Sequence, residues 1–97
     1  MTAKQSEHAR LWMMVSELAD RMGVSLRLEE LAEGEGYQTR SGMCRIGGRM
    51  VAFVDGRLPI AGRARQLAKA LSSLDLESVH MLPALRAFME EIAAEDE

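Results

Sequence analysis

The fold turns on the stretch Gln38-Thr39-Arg40-Ser41-Gly42-Met43-Cys44-Arg45-Ile46-Gly47-Gly48-Arg49-Met50-Val51-Ala52-Phe53-Val54. Two strand-like runs, Gln38 to Ile46 and Arg49 to Val54, flank a Gly-Gly pair. A two-residue glycine loop accepts the positive φ angles that a tight hairpin turn requires, so the stretch predicts a β-hairpin. In that register Cys44 faces Val51.

On the N-terminal side, Val24-Ser25-Leu26-Arg27-Leu28 alternates apolar and polar residues, the period of a strand with one buried face, and Leu31 is placed to extend it. Glu33-Gly34-Glu35-Gly36 has neither period and reads as a loop. Before the strand, Leu11, Val15, Leu18 and Met22 recur at helical spacing from about Ala3 to Met22. Gly23 then suits the left-handed residue that follows a helix end.

On the C-terminal side, Asp55-Gly56 breaks the strand and Pro59 stands where a first helical turn has no use for an N–H. Leu67, Ala70, Leu71 and Leu74 give a second helix from about Ile60 to Leu74, weakened early by Gly62 and ended by Ser73 and Asp75. A third helix is expected from near Pro83, with Leu85, Phe88, Met89 and Ile92 on one side. The acidic tail, from about residue 94 to 97, is expected to fray. The predicted fold is α+β in the order α-β-β-β-α-α, a three-stranded antiparallel sheet covered by helices. No repeat and no long linker divides residues 1–97, so one domain is expected.

The chain of 97 residues can bury roughly 60–65% of its unfolded surface, enough for one modest core. Its 47% apolar and 28% charged residues are those of an ordinary globule, and no apolar run approaches the ~18 residues of a membrane span. The polar start, Met1 to His8, contains no hydrophobic leader core, so a cytoplasmic location is expected. Cys44 is the single cysteine, which rules out an intrachain disulfide and fits a reducing compartment. Eight methionines against four aromatic residues imply a core filled largely by thioethers. Met13, Met14, Met43, Met50 and Met81 are the candidates for a methionine-rich partner face.

Charge is segregated along the chain: residues 1–37, 38–69 and 70–97 carry −3, +6 and −6. The basic middle nominates Arg40, Arg45, Arg49, Arg63 and Arg65 as an anion-binding set, since guanidinium forks match phosphate geometry and segregated charge attracts polyanions. Only Tyr37 and Phe53 are near enough to stack bases, which weighs against nucleic acid as the partner. The acidic ends can instead neutralise the middle, within the chain or across a dimer.

Catalytic constellations are missing from the sequence. His8, His80 and Cys44 lack the paired spacing of a zinc site, so no metal is assigned. No GxSxG elbow surrounds a serine, and no phosphate-cradling glycine pattern occurs. Gly42, Gly47, Gly48 and Gly56 read as turn or bulge residues. The acidic pairs Glu29-Glu30, Glu33/Glu35 and Glu90-Glu91 read as loop and surface charge. No catalytic residue and no cofactor is expected.

Val54-Asp55-Gly56-Arg57-Leu58-Pro59, leading into Arg65-Gln66-Leu67-Ala68-Lys69-Ala70-Leu71-Ser72-Ser73, resembles the strand, turn and active-site helix of ImmA/IrrE-like zinc peptidases, whose helix reads LAHELGH. Leu67, Ala68 and Leu71 match its apolar frame. Lys69, Ala70 and Ser73 stand where the first histidine, the glutamate and the second histidine belong, so the resemblance implies at most a degenerate, inactive relative. Through Gly42-Met43-Cys44-Arg45, Leu58-Pro59 and Leu67-Ala68-Lys69-Ala70-Leu71, the chain also resembles a family of small bacterial proteins of unknown function, a likeness over about residues 23–92 that implies no activity. The functional expectation is a non-catalytic interaction module acting through a protein partner or as a homo-oligomer. Anion or nucleic-acid binding by the basic hairpin is the alternative. An enzyme of unrecognised type would need Cys44 and a histidine within hydrogen-bond reach.

Overall fold

The computed structural model describes residues 3–30 and 42–95. Its elements are α1 (Ala3–Arg21), β1 (Val24–Glu29), β2 (Met43–Ile46), β3 (Arg49–Asp55), α2 (Ile60–Leu71) and α3 (Pro83–Glu95). The hairpin forms around its glycines: Gly47 and Gly48 have φ of 58° and 81°, the two positive values of a type I′ turn. Cys44 lies opposite Val51 and Ile46 opposite Arg49, as the turn dictates. β2 begins at Met43; Gln38 to Ser41, Leu31 and the Glu33–Gly36 stretch lie outside the described residues.

Gly42 sits at the open end of the hairpin with φ 70°. Its carbonyl accepts the Phe53 N–H at 2.6 Å. A Cβ at this position would stand 2.7 Å from the Phe53 carbonyl oxygen, closer than carbon and oxygen approach without a backbone shift. Glycine is therefore required here twice, by the left-handed conformation and by the proximity of β3.

The sheet is mixed, which corrects the expectation of antiparallel pairing throughout. The strand order is β1-β3-β2. β1 runs parallel to β3, from Val24 opposite Met50 to Glu29 opposite Asp55. The cause lies in β3, whose run Met50 to Val54 is apolar at every position and so does best between two neighbours. The hairpin occupies one side of β3, and β1 takes the other instead of lying outside β2. Parallel pairs are characteristic of strands apolar on both faces, whereas one-sided strands alternate.

Alternation divides the sheet. Val24, Leu26, Leu28, Met43, Met50, Ala52 and Val54 share the face toward the helices. Val24, Ala52 and Val54 join a core with Val15, Leu18 and Ala19 of α1, Leu67, Ala68, Ala70 and Leu71 of α2, and Leu85, Met89 and Ile92 of α3. Met22 and Gly23 turn α1 back onto β1: the Met22 N–H donates to the Leu18 carbonyl at 3.0 Å, and Gly23 has φ 75°. α2 stops at Leu71, short of the expected Leu74. The Ser72 and Ser73 hydroxyls donate to the carbonyls of Lys69 and Ala70, at 2.7 and 2.9 Å, and such back-bonding competes with helix continuation. Leu74, Leu76 and Val79 pack on the core from the connection that follows. α3 continues through Glu95, and Asp96 and Glu97 lie outside the described residues.

Gly42→Ala is expected to destabilise the fold by distinctly more than Gly47→Ala. Both replace a left-handed glycine, at roughly 1–2 kcal/mol, but Gly47 has open space where its Cβ would go. Urea denaturation of the two variants measures the difference, and equal losses would contradict the close approach of Gly42 to β3.

Candidate interaction surface

The turn after β3 explains several conspicuous side chains. Asp55 accepts three bonds from Arg57: from its N–H at 3.0 Å and Nε at 3.1 Å on Oδ1, and from Nη2 at 3.1 Å on Oδ2. Arg63 reaches back from α2 and donates to the carbonyls of Leu58 at 2.9 Å and Gly56 at 3.2 Å. Gln66 Oε1 accepts the Asp55 N–H at 2.7 Å. With Pro59 as the N-cap lacking a side-chain cap bond, these links from α2 hold the turn in place of a capping hydroxyl. The segment resembling a peptidase strand-turn-helix unit is thus a braced corner, with the Ser73 hydroxyl bonded to the Ala70 carbonyl.

The arginines nominated for an anion that lie among the described residues differ in their surroundings. Arg63 serves the loop carbonyls. Arg65 pairs with Glu95 of α3, and that bond raises its pKa. Arg45 and Arg49 are both exposed near the hairpin turn, but Arg45 pairs in register with Met50 and Arg49 with Ile46, so they project from opposite faces. Arg49 Nη1 contacts Ser25 Oγ at 3.4 Å. Arg40 lies outside the described residues.

Groups able to do chemistry are equally dispersed. Among the described residues no three His, Cys, Asp or Glu side chains form a metal-holding group. Cys44 is a free, partly buried thiol on β2. His80 is exposed in the α2–α3 connection, with its carbonyl accepting Arg21 Nη1 at 3.0 Å. A groove of about 560 Å³ lies between the end of α1 and β1, lined by Ser16, Asp20, Ser25, Leu26 and Arg49. The Ser16 hydroxyl beside it is buried without a partner. A second, more apolar groove of about 650 Å³ separates α1 from α3 at Leu11, Met14 and Phe88. No helix among the described residues is long and apolar enough to cross a membrane.

The expected methionine face is not assembled. Met81 is buried, and Met14, Met43 and Met50 pack against the core; of the five, Met13 alone is strongly exposed, at 61%. Flexible thioethers have filled the interior that few aromatics were available to fill.

What remains is the outline of the sheet. Among the described residues, β1 and β2 each pair on one side only, with β3. β2 is a four-residue strand, too short to template much pairing. β1 is longer and contains no proline. Sequence alternation assigns Leu28 to the buried face, yet it is 47% exposed, because burial decays along β1 from Val24 outward. On the opposite face Arg27 lies over the Phe53 ring, 5.9 Å from its centroid, and its Nε is 3.2 Å from Glu29. The clue in the sequence was the string Arg27-Leu28-Glu29, with opposite charges two residues apart around an apolar one. Compared with family models, curated proteins and solved structures, the chain finds no match.

Asp55 gives a pH test of the braced corner. Hydrogen bonds from the Arg57 side chain and then its N–H hold the carboxyl below its ordinary 3.8. A depressed native pKa contributes stability above the unfolded value, and this contribution disappears as pH falls through the native value. Arg57→Ala is expected to bring Asp55 up toward 3.8, followed by carboxyl carbon chemical shift in an NMR titration. An unchanged Asp55 titration would contradict the assignment.

Proposed function

We propose that this protein is a non-catalytic interaction module that works by joining its sheet to a protein surface, either a second copy of itself or another protein. The observation that supports this best is the β1 edge: six residues of strand with one side unpaired among the described residues. It has none of the proline, uniform charge or brevity by which proteins discourage strand addition. Added strands gain affinity from main-chain hydrogen bonds and specificity from alternate side chains. A small domain therefore needs no deep pocket to bind through such an edge.

The anion-binding alternative retains Arg45 and Arg49 as its exposed described members, on opposite faces of the hairpin. Arg63 and Arg65 already donate to partners within the chain. That reading predicts steeply salt-dependent binding, whereas strand addition depends mainly on neutral backbone groups. Relatedness to zinc peptidases, were it real, would leave the same conclusion, since Lys69, Ala70 and Ser73 supply no ligand set.

Light scattering coupled to size exclusion tests the proposal. The purified chain is expected to show a mass above its 10.8 kDa monomer that rises with concentration. Monomer at every concentration, together with a tagged chain that emerges from its native cells unaccompanied on native mass spectrometry, would overturn it.

A further inference from the structure

The peptide groups of β1 specify how a strand can add to it. Glu29 turns its carbonyl toward β3, where it accepts the Gly56 N–H at 3.0 Å. Successive residues of a strand point their N–H and C=O to opposite sides. The odd-numbered residues therefore serve β3, and Leu26 and Leu28 present their N–H and C=O groups to the edge that has no partner among the described residues.

We propose that a second copy of the chain adds along this edge, β1 against β1 and antiparallel, about a two-fold axis passing between the two Leu28 residues. This rests on the interaction reading above and names its partner. A two-fold axis normal to the sheet leaves each side chain on its own face, so residues of like parity must lie opposite one another. Centres on Leu26, Arg27 and Leu28 place the charged residues differently. Centring on Arg27 sets two guanidinium groups face to face, which is repulsive. Centring on Leu26 sets Arg27 against the partner's Ser25 and Glu29 against the partner's Gly23, so neither meets an opposite charge across the interface.

Centring on Leu28 opposes residues 26–30 of the two copies and pairs their charges. Arg27 then lies opposite the partner's Glu29, and Glu29 opposite the partner's Arg27, giving two cross-strand ion pairs related by the axis. These fall at non-hydrogen-bonded positions, where opposed Cα atoms come within about 4.5 Å and side chains are closest. The existing Arg27–Glu29 contact within each chain becomes part of a four-charge cluster. On the helix-facing side, Leu28 meets its own symmetry mate, which covers an apolar side chain that is 47% exposed in the single chain. The Leu28 pair exchanges both backbone hydrogen bonds, as does each pairing of Leu26 with the partner's Glu30. The two three-stranded sheets become one of six strands.

The register is tested by charge exchange. In R27E each pair sets glutamate against glutamate, and in E29R arginine against arginine. Mixing the two variants restores opposite charges at both positions. Sedimentation equilibrium is expected to show the wild-type dimer, at least about tenfold weaker self-association for each variant, and recovery in the equimolar mixture. Native mass spectrometry should identify the recovered species as the heterodimer. Because both side chains are exposed, each variant is expected to melt as a folded chain, and recovery on mixing excludes unfolding as the cause of the loss. Wild-type dimers that both substitutions leave intact, or a mixture that fails to recover, would overturn this register while leaving self-association standing. A wild-type chain that stays monomeric would remove both.

Discussion

The run Met50 to Val54 has no polar position, and a strand of that kind is best placed where both of its edges are paired. β3 accordingly holds the centre of the sheet. Its even-numbered side chains enter the core beneath α1 and α2. Val51, on the other face, is buried between its lateral neighbours Ser25 and Cys44. The displacement of β1 to the far side of β3 and its parallel direction both follow from filling the two edges of this strand. So does the position of Gly42, where the hairpin's open end comes against β3 too closely for a side chain.

Charge plays a different part from the one its linear distribution suggests. The basic middle and acidic ends are far apart along the chain, but folding brings some of them together, as with Arg65 of α2 and Glu95 of α3. Other arginines act as donors to backbone: Arg63 to the turn after β3, Arg86 to the Val79 carbonyl at 3.0 Å, and Arg21 to that of His80. A guanidinium offers five N–H donors on a long arm, which suits it to loops whose carbonyls have no strand or helix to join. Exposed pairs of this kind contribute about 0–1 kcal/mol each. They define loop geometry more than they raise stability.

The elements legible in the sequence were those with a local cause. Gly47-Gly48 sufficed for the hairpin and the Cys44–Val51 register, helical periodicity sufficed for α1 and α3, and Pro59 marked the start of α2. The neighbour of β1 was not legible, because strand order is decided by competition for β3 and no residue of β1 encodes the outcome. The end of α2 was missed by letting Leu74 extend the stripe. Its side chain does pack on the core, but two serine hydroxyls had already ended the helix. At the surface, residue type alone could not show that Arg63 and Arg65 have partners within the chain. It also concealed the edge, since Leu28 looks like any other apolar position of an alternating strand.

The mixed sheet also imposes an order on its own assembly. β2 and β3 are joined by two residues and can pair within microseconds of a turn forming, whereas Val24 must find Met50 across a long closed loop before any parallel ladder bond appears. A chain emerging from the ribosome therefore exposes β1 for as long as the hairpin is incomplete. During that interval β1 lacks β3 on one side, and no strand among the described residues covers the other.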